Sequence, residues 1–127
     1  MPRTVYDTRF FIEHYYSKDE KVLQKTKEGL RGREKYVSAI VIHEVYQLTL
    51  ALEGRKSAVL RTTLLEKDFK IVKVDAAIAK ISAEFRHKYM LSMADSMIAA
   101  TASHLKAMCL SDDPHFQAIR EIKTRWI

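Results

Sequence analysis

Residues 70–114 read KIVKVDAAIAKISAEFRHKYMLSMADSMIAATASHLKAMCLSDDP. Lys70-Ile71-Val72-Lys73-Val74 alternates along its length, the two-residue period of a strand, and ends at Asp75. Ala76 to Tyr89 and Met93 to Ala107 read as helices, and Met108-Cys109-Leu110-Ser111 is a short apolar strand closed by Asp112-Asp113-Pro114. A strand, two helices and another strand in succession are what a parallel crossover requires.

The same alternation extends toward both ends. Arg3-Thr4-Val5-Tyr6 is β-rich and stops at Asp7-Thr8, a pair able to cap the helix whose apolar face is Phe11, Ile12, Tyr15 and Tyr16. Lys18 to Leu30 predicts a polar helix stopped by Gly29 and Gly32, and Tyr36-Val37 a brief strand. After Ser38, Val41, Val45, Leu48 and Leu52 recur at helical spacing until Gly54. Lys56 to Lys67 is a further helix, and the tail from His115 holds a turn or short helix before a last strand at Thr124-Arg125-Trp126-Ile127. The expected fold is α/β: a mostly parallel central sheet of four to five short strands, flanked by helices on both faces, in a single domain spanning 1–127. Such sheets bind ligands beyond the carboxyl ends of their strands, where connections diverge.

Composition sets the outer bounds. Of 127 residues, 47% are apolar and 30% charged, which excludes a disordered tail. Charges at Arg3, Asp7, Arg9 and Glu13 interrupt any signal peptide, and no window approaches a membrane helix, so a soluble, unprocessed protein is expected. The single Cys109 forms no internal disulfide and reads as a core residue, consistent with a reducing cytoplasm. Lys and Arg exceed Asp and Glu by six, which favours a polyanionic ligand. The basic residues of 18–35 and 55–73 are interleaved with acids and read first as solvated helix surface.

Four acids invite chemistry, and each has a plainer reading. Ala39 to Leu52 is apolar at ten of fourteen positions, so the helix is expected to be largely buried and Glu44 to need a partner; the other reading is a solvent-facing strip shared with Gln47. Asp95 fits a capping box opened by Ser92, while the small residues Ala99 to Ser103 would let its helix approach the sheet. Asp7 can cap a helix, and Asp112 or Asp113 can form a turn before Pro114. A doubly wound sheet would nonetheless bring these acids together. A cluster of like charges is tolerable when a divalent cation neutralises it, and oxygen donors select Mg2+ or Mn2+.

Four segments, in order, resemble the PIN domain family, and most closely its VapC-type toxin ribonucleases. They are Val5-Tyr6-Asp7-Thr8, Tyr36 to Tyr46 with Glu44, Leu91 to Ala102 with Asp95, and Leu110-Ser111-Asp112-Asp113-Pro114-His115-Phe116. Ser96, Ser111 and Arg9 depart from the residues most usual at their positions, and Asp112 competes with Asp113 for the fourth role. The resemblance implies a divalent-metal-dependent endoribonuclease, the toxin of a toxin–antitoxin pair. Asp7, Glu44, Asp95 and Asp113 would be its catalytic and metal-holding acids, for Mg2+ or Mn2+, with Thr8 and Ser111 orienting them. It also implies an RNA substrate, an antitoxin partner and a homodimer. Arg86 and Lys88, just before the Asp95 helix, are candidate grips on the RNA backbone, although surface charge is the first expectation. Phe10, Phe11, Tyr15 and Tyr16 are candidates for a partner contact, although ordinary core is the first expectation.

Other chemistries fail on residues. His43-Glu44-Val45-Tyr46-Gln47 lacks the second His of a zinc protease, three scattered glycines make no phosphate loop, and Arg9 stands where an Asp-x-Asp phosphotransferase needs an acid. The five histidines share no spacing with a second ligand and read as structural. Two alternatives stay open: a catalytically inactive PIN-like module that binds RNA or protein, and a basic helical DNA-binding regulator.

Overall fold

The computed structural model describes residues 2–31 and 34–127; Gly32, expected to help stop the second helix, and Arg33 of the first basic run lie outside them. Five strands form one sheet: β1 (Arg3–Tyr6), β2 (Glu34–Ser38), β3 (Lys70–Val72), β4 (Met108–Leu110) and β5 (Lys123–Arg125). Their order is β3-β2-β1-β4-β5, and every pairing is parallel. The chain thus builds outward from β1 in one direction and then returns to build outward in the other. β1 and β4 meet where the connections diverge.

Helices cover both faces of the sheet. They are α1 (Thr8–Tyr16), α2 (Glu20–Gly29), α3 (Ala39–Glu53), α4 (Arg55–Asp68), α5 (Ala76–Tyr89), α6 (Met93–Leu105) and the short α7 (Pro114–Gln117). Local signals set most of their ends. Asp19, Ser38, Asp75 and Ser92 each accept a backbone N–H of the first turn that would otherwise lack a partner. Gly54 ends α3 at φ +91, a conformation that costs glycine little and side-chain-bearing residues more. Gly29 serves close packing instead: a Cβ there would lie 3.2 Å from the Phe10 ring and 3.3 Å from Ile127.

The core joins the sheet to α1 through aromatic edges. Tyr6 meets Phe10 at 4.9 Å and Phe69 at 5.1 Å, while Phe11 meets Phe69 at 5.2 Å. Edge-on pairs of this kind add about 0.5–1.5 kcal/mol each beyond simple burial. On α6, Ile98, Ala99, Ala100, Thr101 and Ala102 are all fully buried, and the helix packs on β1, β2 and β4. Cys109 is buried within β4.

Three details differ from the sequence reading. β3 ends at Val72, two residues early, and β5 ends at Arg125, before Trp126 and Ile127. The third helix is not largely buried: only Val41, Val45 and Thr49 are, and Leu50 and Leu52 face outward. Its apolar residues surround the helix, but the fold covers only one stripe of it.

Candidate metal centre

Asp7 follows β1 directly, and its N–H donates to the Leu110 carbonyl at 3.1 Å, extending the ladder between β1 and β4 by one rung. It occupies the cap position of α1 but makes no side-chain capping bond. Its carboxylate turns instead toward the β4 side, where Ser111 Oγ donates to Asp7 Oδ2 at 2.6 Å. The same hydroxyl accepts the Asp113 N–H at 3.0 Å. One serine therefore links two of the expected acids.

The remaining acids arrive from helices. Glu44, half-buried in the second turn of α3 rather than at its start, accepts a hydrogen bond from Thr8 Oγ1 at 2.6 Å. Asp95 lies in the first turn of α6, its N–H donated to Ser92 Oγ at 3.2 Å, so it takes part in the cap while its carboxylate lies near Asp113. The buried stripe of small residues behind it seats α6 directly against the strands. Asp113 caps α7 through the His115 N–H at 2.9 Å.

Asp112 and Asp113 point to different partners. Arg9 Nε and Nη2 each donate to an Asp112 oxygen at 3.2 Å, a two-pronged pair typical of guanidinium and carboxylate. Asp113 instead faces Asp95. Ligand atoms from Asp95, Asp113 and His115 all lie within 4.8 Å of one another. His115, expected to be merely structural, thus stands in the cleft. Its position two residues beyond Asp113, across Pro114, was the available signal; spacing to Asp95, twenty residues earlier, gives none. His14 does have a packing role, bonded to Thr26 at 2.9 Å and stacked on Phe10.

Electrostatics follow from this gathering. Asp7 is only 2% exposed, and burial pushes its carboxyl up to about 7. Asp95 and Glu44 add to the rise, while the hydrogen bond from Ser111 and one from the Thr8 backbone oppose it. Asp95 is also raised, by burial and then by the charge of Asp113, against a hydrogen bond from Ser92 and the influence of His115. Hard oxygen donors that repel one another, one of them buried and the others half-buried, have the chemistry that suits a small divalent cation.

Basic side chains expected near the site are more ordinary. Lys88 pairs with Glu121 at 3.4 Å, and Arg86 lines a groove between α5 and α6 with Met93 and Met97. Phe10 and Phe11 are core, whereas Tyr15 borders a separate groove of about 350 Å3 formed with Leu60, Arg61, Leu64 and Phe69. No helix among the described residues is long and apolar enough to cross a membrane.

A family model described as PIN domain matches residues 4–122. VapBC2 from Rickettsia felis, solved with a DNA fragment from its promoter, shares the fold at TM-score 0.79 and 12% identity, with 97% of each chain covered. FitAcB from Neisseria gonorrhoeae aligns at TM-score 0.73 and 26% identity over 95% of each chain. VapC20 from Mycobacterium tuberculosis, a toxin that cleaves the sarcin–ricin loop, aligns at TM-score 0.75 and 17% identity, covering 94% of this chain and 98% of that one. No match is found among curated protein sequences.

Proposed function

Because this chain belongs to the PIN domain family, we propose that it is a divalent-metal-dependent endoribonuclease and the toxin of a VapBC-type pair, working in the cytoplasm. What supports this reading is that Asp95 and Asp113 offer ligand atoms within 4.8 Å of one another, and that buried Asp7, at the end of β1, has its pKa pushed up to about 7 by burial and by the charges of Asp95 and Glu44.

Asp7, Asp95 and Asp113, with Glu44 alongside, would hold one or two Mg2+ or Mn2+ ions. Once bound, such an ion supplies Lewis-acid charge to a scissile phosphate and lowers the pKa of an attacking water. The chain's own part is arrangement. Ser111 fixes Asp7 relative to Asp113, and Thr8 fixes Glu44, so both hydroxyls orient carboxylates rather than react. Arg9, by taking Asp112, keeps the neighbouring acid from competing with Asp113. The basic surplus outside the cleft suits the backbone of an RNA.

The antitoxin reading rests on the neighbouring toxin–antitoxin complexes and on the groove beside α1 and α4. Leu60 and Leu64, 61% and 50% exposed, border that groove with no apolar cover. An amphipathic segment of a partner would bury them. A homodimer remains part of the proposal on the family resemblance.

The test is cleavage of a labelled RNA with Mg2+ or Mn2+ supplied and then chelated. Cleavage that appears with the ion and stops with the chelator supports the reading. Cleavage surviving chelation rejects the metal mechanism, and none under any condition leaves the inactive binding module in its place.

A further inference from the structure

We propose that His115 supplies an imidazole nitrogen beside the Asp95 and Asp113 carboxylates, making a mixed nitrogen–oxygen site that takes Mn2+ in preference to Mg2+. The inference rests on the metal-dependent reading above and adds a ligand and an ion preference to it.

Three features carry it. The first is proximity: one ligand atom from each of these residues lies within 4.8 Å of the other two, a spacing that a single ion can bridge with small side-chain movements. The second is how Asp113 is held. Its Oδ1 accepts both the His115 N–H at 2.9 Å and a bond with the His115 ring Nδ1 at 2.7 Å. Among the described residues no hydrogen bond reaches its Oδ2, which leaves that oxygen for a cation. The third is accessibility. Asp95 and Asp113 are half-buried, whereas the His115 ring stands on the rim with a side-chain exposure of 68%. It is therefore able to turn over the two acids without disturbing the core.

The chemistry then discriminates between ions. Mg2+ takes oxygen ligands and gives up its water reluctantly. Imidazole nitrogen is a softer donor, suited to transition metals, and strengthens their binding relative to Mg2+. A neutral imidazole keeps one nitrogen as a donor and offers the lone pair of the other. An ion would take the place of the proton between His115 Nδ1 and Asp113 Oδ1, which lie 2.7 Å apart, so that both atoms become its ligands while Nε2 keeps its proton.

The experiment titrates Mn2+, and separately Mg2+, into chelator-treated protein by calorimetry, for the wild type, His115→Gln and Asp95→Asn. Pulsed electron paramagnetic resonance of the Mn2+-loaded protein reads nitrogen bonded to the ion directly. His115→Gln is expected to lose about tenfold in Mn2+ affinity, the lower end of what a supporting ligand contributes, with Mg2+ affinity nearly unchanged. The nitrogen signal should be present in the wild type and absent from that variant. An unchanged ratio of the two affinities, or a wild-type spectrum without nitrogen, overturns the role of His115. Failure of the wild type to bind either ion instead overturns the metal-dependent reading itself. Loss of both ions in Asp95→Asn, with His115→Gln behaving as wild type, removes only the present inference. Unchanged thermal unfolding of His115→Gln excludes misfolding as the cause of any loss.

Discussion

Two regions of this molecule hold carboxylates in opposite ways. Between α1, α3 and α4, Arg61 Nη1 donates to Glu53 Oε2 at 2.5 Å, and the guanidinium lies 4.5 Å over the Tyr15 ring. Tyr16 OH donates to the same glutamate oxygen at 2.6 Å. Glu53 is held below the usual carboxylate range by these hydrogen bonds from Tyr16 and Arg61. In the acidic cleft, Asp7 sits above that range, driven by burial and by the neighbouring Asp95 and Glu44. One region balances its charge from within the chain. The other places like charges near one another, a repulsion that the proposed cation would relieve.

The sharpest way to break this comparison is to remove charge from the cleft alone. Asp95→Asn keeps the side chain's shape, and RNA cleavage assayed with Mn2+ should fall by more than ~100-fold, beyond the loss of an outer orienting partner. Retention of cleavage would show that the gathered acids are not the working part of the molecule.

A second prediction uses pH. Folded Asp7 titrates near 7 in the absence of metal, against 3.8 for the unconstrained group. Between those values the unfolded chain has released its proton while the folded chain still holds it. The stability of metal-free protein should therefore fall as pH rises from about 4 to 7, by a few kcal/mol at about 1.4 kcal/mol per pKa unit. Denaturant melts of the wild type and Asp7→Asn check this: most of the slope should be lost in the variant, the remainder coming from Asp95, and added Mn2+ should restore stability to the wild type near neutrality.

Thr8→Val probes orientation without altering charge. It removes the hydroxyl that holds Glu44, and cleavage should drop about tenfold with thermal unfolding nearly unchanged. The smallest effect is expected in the other region. Leu64→Asp places a charge in the groove beside Arg61 and should weaken antitoxin binding about fivefold, near 1 kcal/mol, with cleavage by the free protein unaffected. Binding measured by calorimetry and cleavage measured in parallel would separate the two regions; a loss of cleavage would join them.

Strand and helix order was legible because local chemistry agrees with the fold. Ser38, Asp75 and Ser92 mark starts, Gly54 marks a stop, and the alternation of Lys70 to Val74 marks a strand, although tertiary pairing uses only its first three residues. The acids were legible as candidates, and a doubly wound sheet was expected to gather them, but the bonds that hold each one were not legible. Asp7 looks like a helix cap in sequence, and only the fold shows that its carboxylate turns to Ser111, 104 residues away. Glu44 was read either as buried in an apolar helix or as lying on a solvent-facing strip with Gln47; it is half-buried, because burial follows the one stripe that meets the rest of the fold. The choice between Asp112 and Asp113 depends on where Arg9 reaches, a contact between the first helix and the last loop. His115 escaped notice for a related reason: Asp113 stands two residues before it, but Asp95 comes from another helix, and spacing along the chain carries no trace of that approach.

The bond from Ser111 to Asp7 also has a consequence for timing. β1 lies at the centre of the sheet, yet the strand that completes its second side is synthesised only after more than a hundred residues have been made. A chain still growing on the ribosome has Asp7 and Glu44 but neither Ser111 nor Asp113, and so cannot assemble the cleft. Any cutting power is thus withheld until β4 and the loop after it have been made, a delay set by topology alone.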